Sequence, residues 1–164
     1  MDTLTAEKNK FHPSNAAIKE ATRNAFNKID FVDKDGAENF LTKLEGSVPA
    51  PLGAKASLIF AGIYGNVTVE PTSGGYENWK FDESFWGAGA VGGSSIGFMY
   101  TAYDNWNAFF KNVTSFHVQS FASGGGILQV NFFISNGTPV GQFNGAMAGA
   151  GAVEGGASGK WKKV

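Results

Sequence analysis

The chain contains no cysteine. That excludes disulfides, thiolate metal sites and cysteine nucleophiles, and it leaves the compartment open, because a core of this size needs no covalent staples. Long apolar runs are missing too; none approaches the roughly 20 residues that cross a bilayer as a helix. Histidine occurs only as His12 and His117, without H-x-H or H-x-x-E spacing, so a metal site would need ligands scattered through the sequence. Net charge is nearly absent: 13 bases against 14 acids leave −1. Nucleic acid, which calls for a basic stripe, is not an expected partner. The opening residues Met1-Asp2-Thr3-Leu4-Thr5 lack the apolar segment of a secretory signal, which by itself predicts a cytoplasmic protein or unconventional export.

What is present is unevenly spread. Residues 1–50 hold 8 acids, 7 bases and 2 glycines, while residues 51–164 hold 6 acids, 6 bases and 21 glycines. The composition change, with Pro49 and Pro51 at it, divides the chain into a polar tail and helical hairpin over 1–48 and a β domain over 49–164 that is expected to fold without the first part.

Residues 1–12 carry no apolar period. Ser14 can cap a helix over about 15–29, in which Ala17, Ile18, Ala21, Ala25, Phe26 and Ile29 recur at helical spacing. A second helix fits 34–45, capped by Asp33 or Asp35, with Ala37, Phe40, Leu41 and Leu44 inward and Gly46 ending it. From Ala54 the period becomes two, and strands are predicted over 55–63, 66–70, 78–86, 87–92, 95–101, 114–122, 127–135, 139–148 and 157–162. Asn136-Gly137 signals a type I′ hairpin turn. Between the halves a helix over 105–112, capped by Asp104, turns Trp106, Phe109, Phe110 and Val113 to one face. Along 128–134 the even residues Leu128, Val130, Phe132 and Ile134 should face inward and Gln129, Asn131 and Phe133 outward.

Gly87-Ala88-Gly89-Ala90-Val91 reappears as Gly149-Ala150-Gly151-Ala152-Val153. Matched small residues in two halves predict matched places where strands bend or backbones approach closely. Short strands at regular spacing indicate a mainly β sandwich or barrel, and duplication favours closure, because two equivalent halves can protect each other's edges.

The second half carries an ordered series: Val130-Asn131-Phe132-Phe133, Ser135-Asn136-Gly137, Val140-Gly141-Gln142-Phe143, Gly145-Ala146, then glycines into Gly159 and Trp161. This series resembles the virulence-associated protein (Vap) family of actinobacterial pathogens, and the likeness covers about residues 54–162. The resemblance implies a compact eight-stranded antiparallel closed barrel of two Greek-key-like halves joined by a short helix. It also implies a non-enzymatic protein acting on host phagosomal compartments, through membranes or a host factor, and a secreted one.

Motifs of other chemistries fail on context. Gly87-Ala88-Gly89-Ala90-Val91-Gly92 fits G-x-G-x-x-G, but strand sequence follows where a dinucleotide site needs a helix. Asp33-Lys34-Asp35-Gly36 misses the calcium-loop spacing, with Leu44 where a ligand is needed. Asp82 and Glu83 point to opposite faces of a strand, though either could pair with Glu70 or Asp104. His117 reads as a strand-surface histidine. Asn66, Asn112 and Asn136 head sequons of low specificity. No catalytic, cofactor-binding or metal residue is expected.

Two groups suit a membrane or partner contact. Tyr76, Trp79 and Trp86 flank loops, and exposed rings there would mark a binding surface. Lys160, Trp161, Lys162 and Lys163 join an amphipathic ring to basic heads. The expected function is a non-enzymatic barrel that engages membranes or partner proteins. The alternative is a carrier holding a small apolar ligand in the lumen, which would need a cavity of about 300 Å³ or more.

Overall fold

The computed structural model describes residues 14–29, 33–46, 49–121, 126–148 and 151–164. Two helices come first, α1 (Asn15–Lys28) and α2 (Lys34–Gly46). The strands follow as β1 (Leu52–Pro71), β2 (Trp79–Thr101), β3 (Ser115–Phe121), β4 (Ile127–Phe133), β5 (Pro139–Ala148), β6 (Gly151–Ser158) and β7 (Trp161–Lys163). A third helix, α3 (Trp106–Asn112), lies between β2 and β3.

All pairings are antiparallel. The sheet runs β1-β2-β5-β4-β3-β6, and β6 returns to β2, so the path closes into a ring; β7 adds to β2. The duplication and family likeness predict eight strands, whereas the described residues form seven. Segments 55–63 and 66–70 run together as β1, and three predicted segments run together as β2. Glycine makes this possible: Gly62 and Gly89 take φ of 75° and 140°, so each strand bends without losing its partner. At its bend β1 folds back on itself. Ser57 Oγ and Thr68 Oγ1 lie 2.5 Å apart, Lys55 Nζ is 3.3 Å from Glu70, and Thr72 N donates to Gly53 O at 2.8 Å.

The duplicated runs meet. Gly89 pairs with Val153, Ala90 with Ala152 and Val91 with Gly151. Ala90 thus faces its own counterpart in the repeat. Just as β2 flanks both arms of β1, the β5–β6 pair flanks the β3–β4 hairpin. Backbones approach closely here: a Cβ at Gly87 would run into Glu154 and Gly155, and one at Gly155 into Trp86 and Gly87. The β6 stretch 151–156 lies outside the predicted strands, because Gly-Ala-Val-Glu-Gly-Gly has little intrinsic strand preference. Pairing on both edges, with β2 and β3, holds it extended.

The ring interior is aromatic. Phe81, Phe85, Phe116, Phe132, Phe143 and Trp161 are buried in it, and α3 closes one end with Trp106, Phe109 and Phe110. Ring centroids of Phe132 lie 5.1 Å from Phe81, 5.4 Å from Phe109 and 5.5 Å from Trp161. The cap of α3 is Asn105, whose Oδ1 accepts from Ala108 N at 2.9 Å, one residue beyond the predicted Asp104. The β4–β5 turn also differs from prediction. Ile134 N bonds Thr138 O and Gly137 N bonds Ile134 O, with Gly137 at φ 83°, which makes a three-residue loop in place of a type I′ turn.

The helices lie on the outside of the ring. Ser14 caps α1, accepting from Ala17 N at 3.2 Å. Ala25 and Phe26 of α1, with Ile29 just after it, join Ala37 and Phe40 of α2 in a cluster with Phe133 of β4. Ala17 is exposed, contrary to its predicted inward place, because Thr22 and not Ala17 completes the buried stripe. The Leu44 side chain lies outside the described residues.

Leu128, Val130 and Phe132 face the ring interior as their alternation predicts. Phe132→Ala should destabilise by about 3–5 kcal/mol in a urea titration. Gly155→Val should cost about 1–3 kcal/mol by overpacking. An unchanged urea midpoint in either variant would contradict, respectively, the strand register or the close approach of β2 and β6.

Candidate functional site

Four outward residues of β4 and β5 are buried amides. Gln129 pairs in register with Asn144, and Asn131 with Gln142, so the four occupy the corners of a square. Their hydrogen bonds run in one circuit. Gln129 Nε2 donates to Asn144 Oδ1 (2.8 Å) and Asn144 Nδ2 to Gln142 Oε1 (2.6 Å). Gln142 Nε2 donates to Asn131 Oδ1 (3.1 Å), and Asn131 Nδ2 returns to Gln129 Oε1 (3.0 Å). Each amide polarises the next, which strengthens the set.

One helix residue fits this square. Thr22 Oγ1 accepts from Gln129 at 2.9 Å and from Gln142 at 3.1 Å, and donates to Ile18 O at 2.7 Å. Gln119 of β3 adds a bond to Ala21 O at 2.7 Å. All five amides and Thr22 are fully buried. The hairpin is thus seated through hydrogen bonds at the centre of its contact, with apolar packing beside them.

Beside the hairpin is an open cleft of about 1150 Å³, lined by Lys28, His117, Glu154 and the Gly155–Gly156 backbone among others. Lys28 Nζ is 3.0 Å from Glu154 Oε2, and His117 Nε2 is 3.4 Å from Glu154 Oε1. His117 is buried, and its Nδ1 has no partner. Burial pushes its pKa below the ordinary histidine value; Glu154 works against that shift and Lys28 with it. His117 is therefore not the surface histidine its alternation predicts, because β3 lies under the edge of the helical cover. His12 lies outside the described residues.

The bare side of the ring is the opposite in character. From Ser84 to Ile96 every second residue of β2 points outward and none is charged. Trp86 is 61% exposed and Ile63 66%, with Ile59, Tyr64 and Ile96 also exposed. Tyr64 and Trp86 are cross-strand partners with ring centroids 4.9 Å apart. Exposed Ala61, Gly62, Ala88, Ala90 and Ala152 lie between these larger residues.

The residues singled out by sequence divide between core and surface. Trp79 is buried and stacks on Phe110 at 5.0 Å; Tyr76 is half-buried against the same ring. Trp161 is buried among Phe81, Phe109 and Phe132. These three serve the interior, whereas Trp86 stands on the surface. Lys160, Lys162 and Lys163 are exposed, and Lys163 Nζ sits 5.3 Å over the Trp79 ring. Since Lys162 pairs with Lys80, the basic residues lie about 20 Å along β2 from Trp86, at ~3.3 Å per residue.

The carboxylates are dispersed. Desolvation raises the Glu70 pKa, but Lys55 and Lys80, both in contact, outweigh it and hold the group below its ordinary value. Asp82 accepts from Asn66 at 3.1 Å and Glu83 from Lys160 N at 3.4 Å. Among the described residues no three His, Asp or Glu side chains are placed to hold a metal.

A closed antiparallel ring with an aromatic interior and an external helical cover defines a small β protein that presents surfaces. The chain belongs to the Rhodococcus equi virulence-associated protein family, whose model matches residues 5–162. The solved structure of VapB from the intracellular pathogen Rhodococcus equi is similar to it at 28% identity and TM-score 0.55, covering 70% of this chain and 97% of its own. VapD from the same organism, at 20% identity and TM-score 0.55, covers 68% of this chain and 96% of its own, and shares the fold. No curated protein sequence matches the chain.

Gln129→Ala should destabilise by about 1–3 kcal/mol, because it strips partners from Asn144, Asn131 and Thr22 within a buried circuit. Thermal unfolding measures this, and a melting temperature unaltered by the substitution would contradict the circuit.

Proposed function

We propose that the protein is a non-enzymatic member of its family, closed as a compact barrel of two Greek-key-like halves, that docks on a membrane interface through Ile59, Ile63, Tyr64 and Trp86. The observation that carries this reading is the exposed ridge itself. An apolar patch of this kind on a small protein usually marks a contact surface. Its rings are Tyr and Trp, which suit the boundary between headgroups and acyl chains. Ile63 projects from the β1 bend next to the positive-φ Gly62, so the ridge has a protruding tip. The carrier reading gains nothing from the ring interior, where Phe81, Phe132, Phe109 and Trp161 fill the space between the strands.

Lys55, in register opposite Ile96, is tied to Glu70 at 3.3 Å, and Lys160, Lys162 and Lys163 lie at the other end of β2. Attachment therefore rests on apolar burial, at about 1.5–3 kcal/mol per large side chain, with little from anionic lipid.

Sedimentation with phosphatidylcholine vesicles tests this. The double variant Ile63→Ser, Trp86→Ala should bind at least about tenfold more weakly, and raising the salt to about 0.5 M should leave wild-type binding unchanged. A wild-type protein that ignores vesicles would overturn the reading and leave a protein partner as the occupant of the ridge.

A further inference from the structure

The helical hairpin covers a face that is polar at its centre. Gln119, Gln129, Asn131, Gln142 and Asn144 are side chains that water would satisfy, and the ring closes through its own strands without either helix. The large apolar residues that depend on the cover include Phe133 of β4. A contact built this way can open without unfolding what lies beneath, since the exposed amides exchange hydrogen bonds with Thr22 and helix carbonyls for bonds with solvent.

One group in that contact responds to acid. A neutral His117 donates from Nε2 to Glu154 and leaves Nδ1 bare. A protonated His117 carries a second N–H at Nδ1, buried without an acceptor. The charged groups facing it are Glu154 from β6 and Lys28 from α1, while β4 faces it with neutral Asn131 in register. Glu154 is already bonded to Lys28, so the added cation shares one carboxylate with another cation.

We infer that α1 and α2 form a displaceable cover over the amide face, released on acidification when His117 is protonated at the mouth of the cleft. The direction follows from the two states. With the cover off, His117 is free to titrate near its ordinary value of about 6.5; with the cover on, burial lowers that value. Docking is therefore fully stabilised above the ordinary value and weakens as pH falls through it toward the lowered one.

Hydrogen exchange of the full chain tests the inference, with rates corrected for intrinsic pH dependence. Between about pH 7.5 and pH 5, protection of the α1 amides should fall by at least about tenfold while β4 and β5 stay protected. His117→Gln, which cannot protonate, should remove this step. An independent reading comes from NMR titration of the wild-type imidazoles, with His12→Ala assigning the two signals. The His117 midpoint should lie below the ordinary range and coincide with the opening of α1. The inference is overturned if α1 and the ring lose protection together, if the step survives in His117→Gln, or if His117 titrates with no change in α1 exchange.

Discussion

The structure depends on the crossing of two small-residue runs at Ala90 and Ala152. β2 is the one strand that touches β1, β5, β6 and β7, and it can do so only because β6 approaches it without intervening side chains. Gly87 opposite Gly155, and Gly97 opposite Gly145, are directly paired glycines whose missing Cβ atoms leave room for the facing backbone. With the crossing in place, β2, β5, β4, β3 and β6 shut into a ring; the interior is then enclosed, and the phenylalanines and Trp161 fill it. Without it, the long strands would leave unpaired edges and the aromatic side chains would have no enclosure.

Closure also separates two outer faces of opposite character. On β4 and β5 the outward row is amide and lies under α1; on β2 the outward row is Ala, Gly, Ser, Trp and Ile and lies in solvent. A protein organised for stability alone would place its helices over the apolar row, where burial returns most. Here the helices sit on the polar row instead. This inversion joins the two functional readings, a contact ridge left open on one side and a removable cover on the other. The family supplies the setting, a virulence-associated protein of Rhodococcus equi type, while the faces belong to this chain's own residues.

Much of the fold is legible in the sequence, and the rest is hidden for identifiable reasons. Helical spacing locates α1 and α2, and alternation sends Val130 and Phe132 inward. The repeat announces the crossing. Strand number is misread because glycine clusters such as Gly92-Gly93 lie within a continuous strand instead of ending one. The amide square is missed because Gln129 and Asn131 have the pattern of an exposed row, and only the tertiary position of α1 buries them. A signal was available: Gln129, Asn131, Gln142 and Asn144 sit two apart on each of two successive strands, the spacing of a cross-strand cluster. His117 is misassigned for the same reason. Trp86 and Trp161 are both candidate contact residues by sequence but have opposite fates, since burial is decided by which side of the strand faces the ring.

Among these contacts, the seat of α1 on a closed circuit of four amides plugged by Thr22 matters most. The most direct test is the solvent exchange of the side-chain NH₂ groups of Gln129, Asn131, Gln142 and Asn144, followed by NMR in the full chain near pH 7.5. The account predicts four pairs of resolved signals that exchange far more slowly than exposed asparagine and glutamine, and that lose this protection together in Thr22→Val. Exchange at the rate of free amides, or protection indifferent to Thr22, would contradict it.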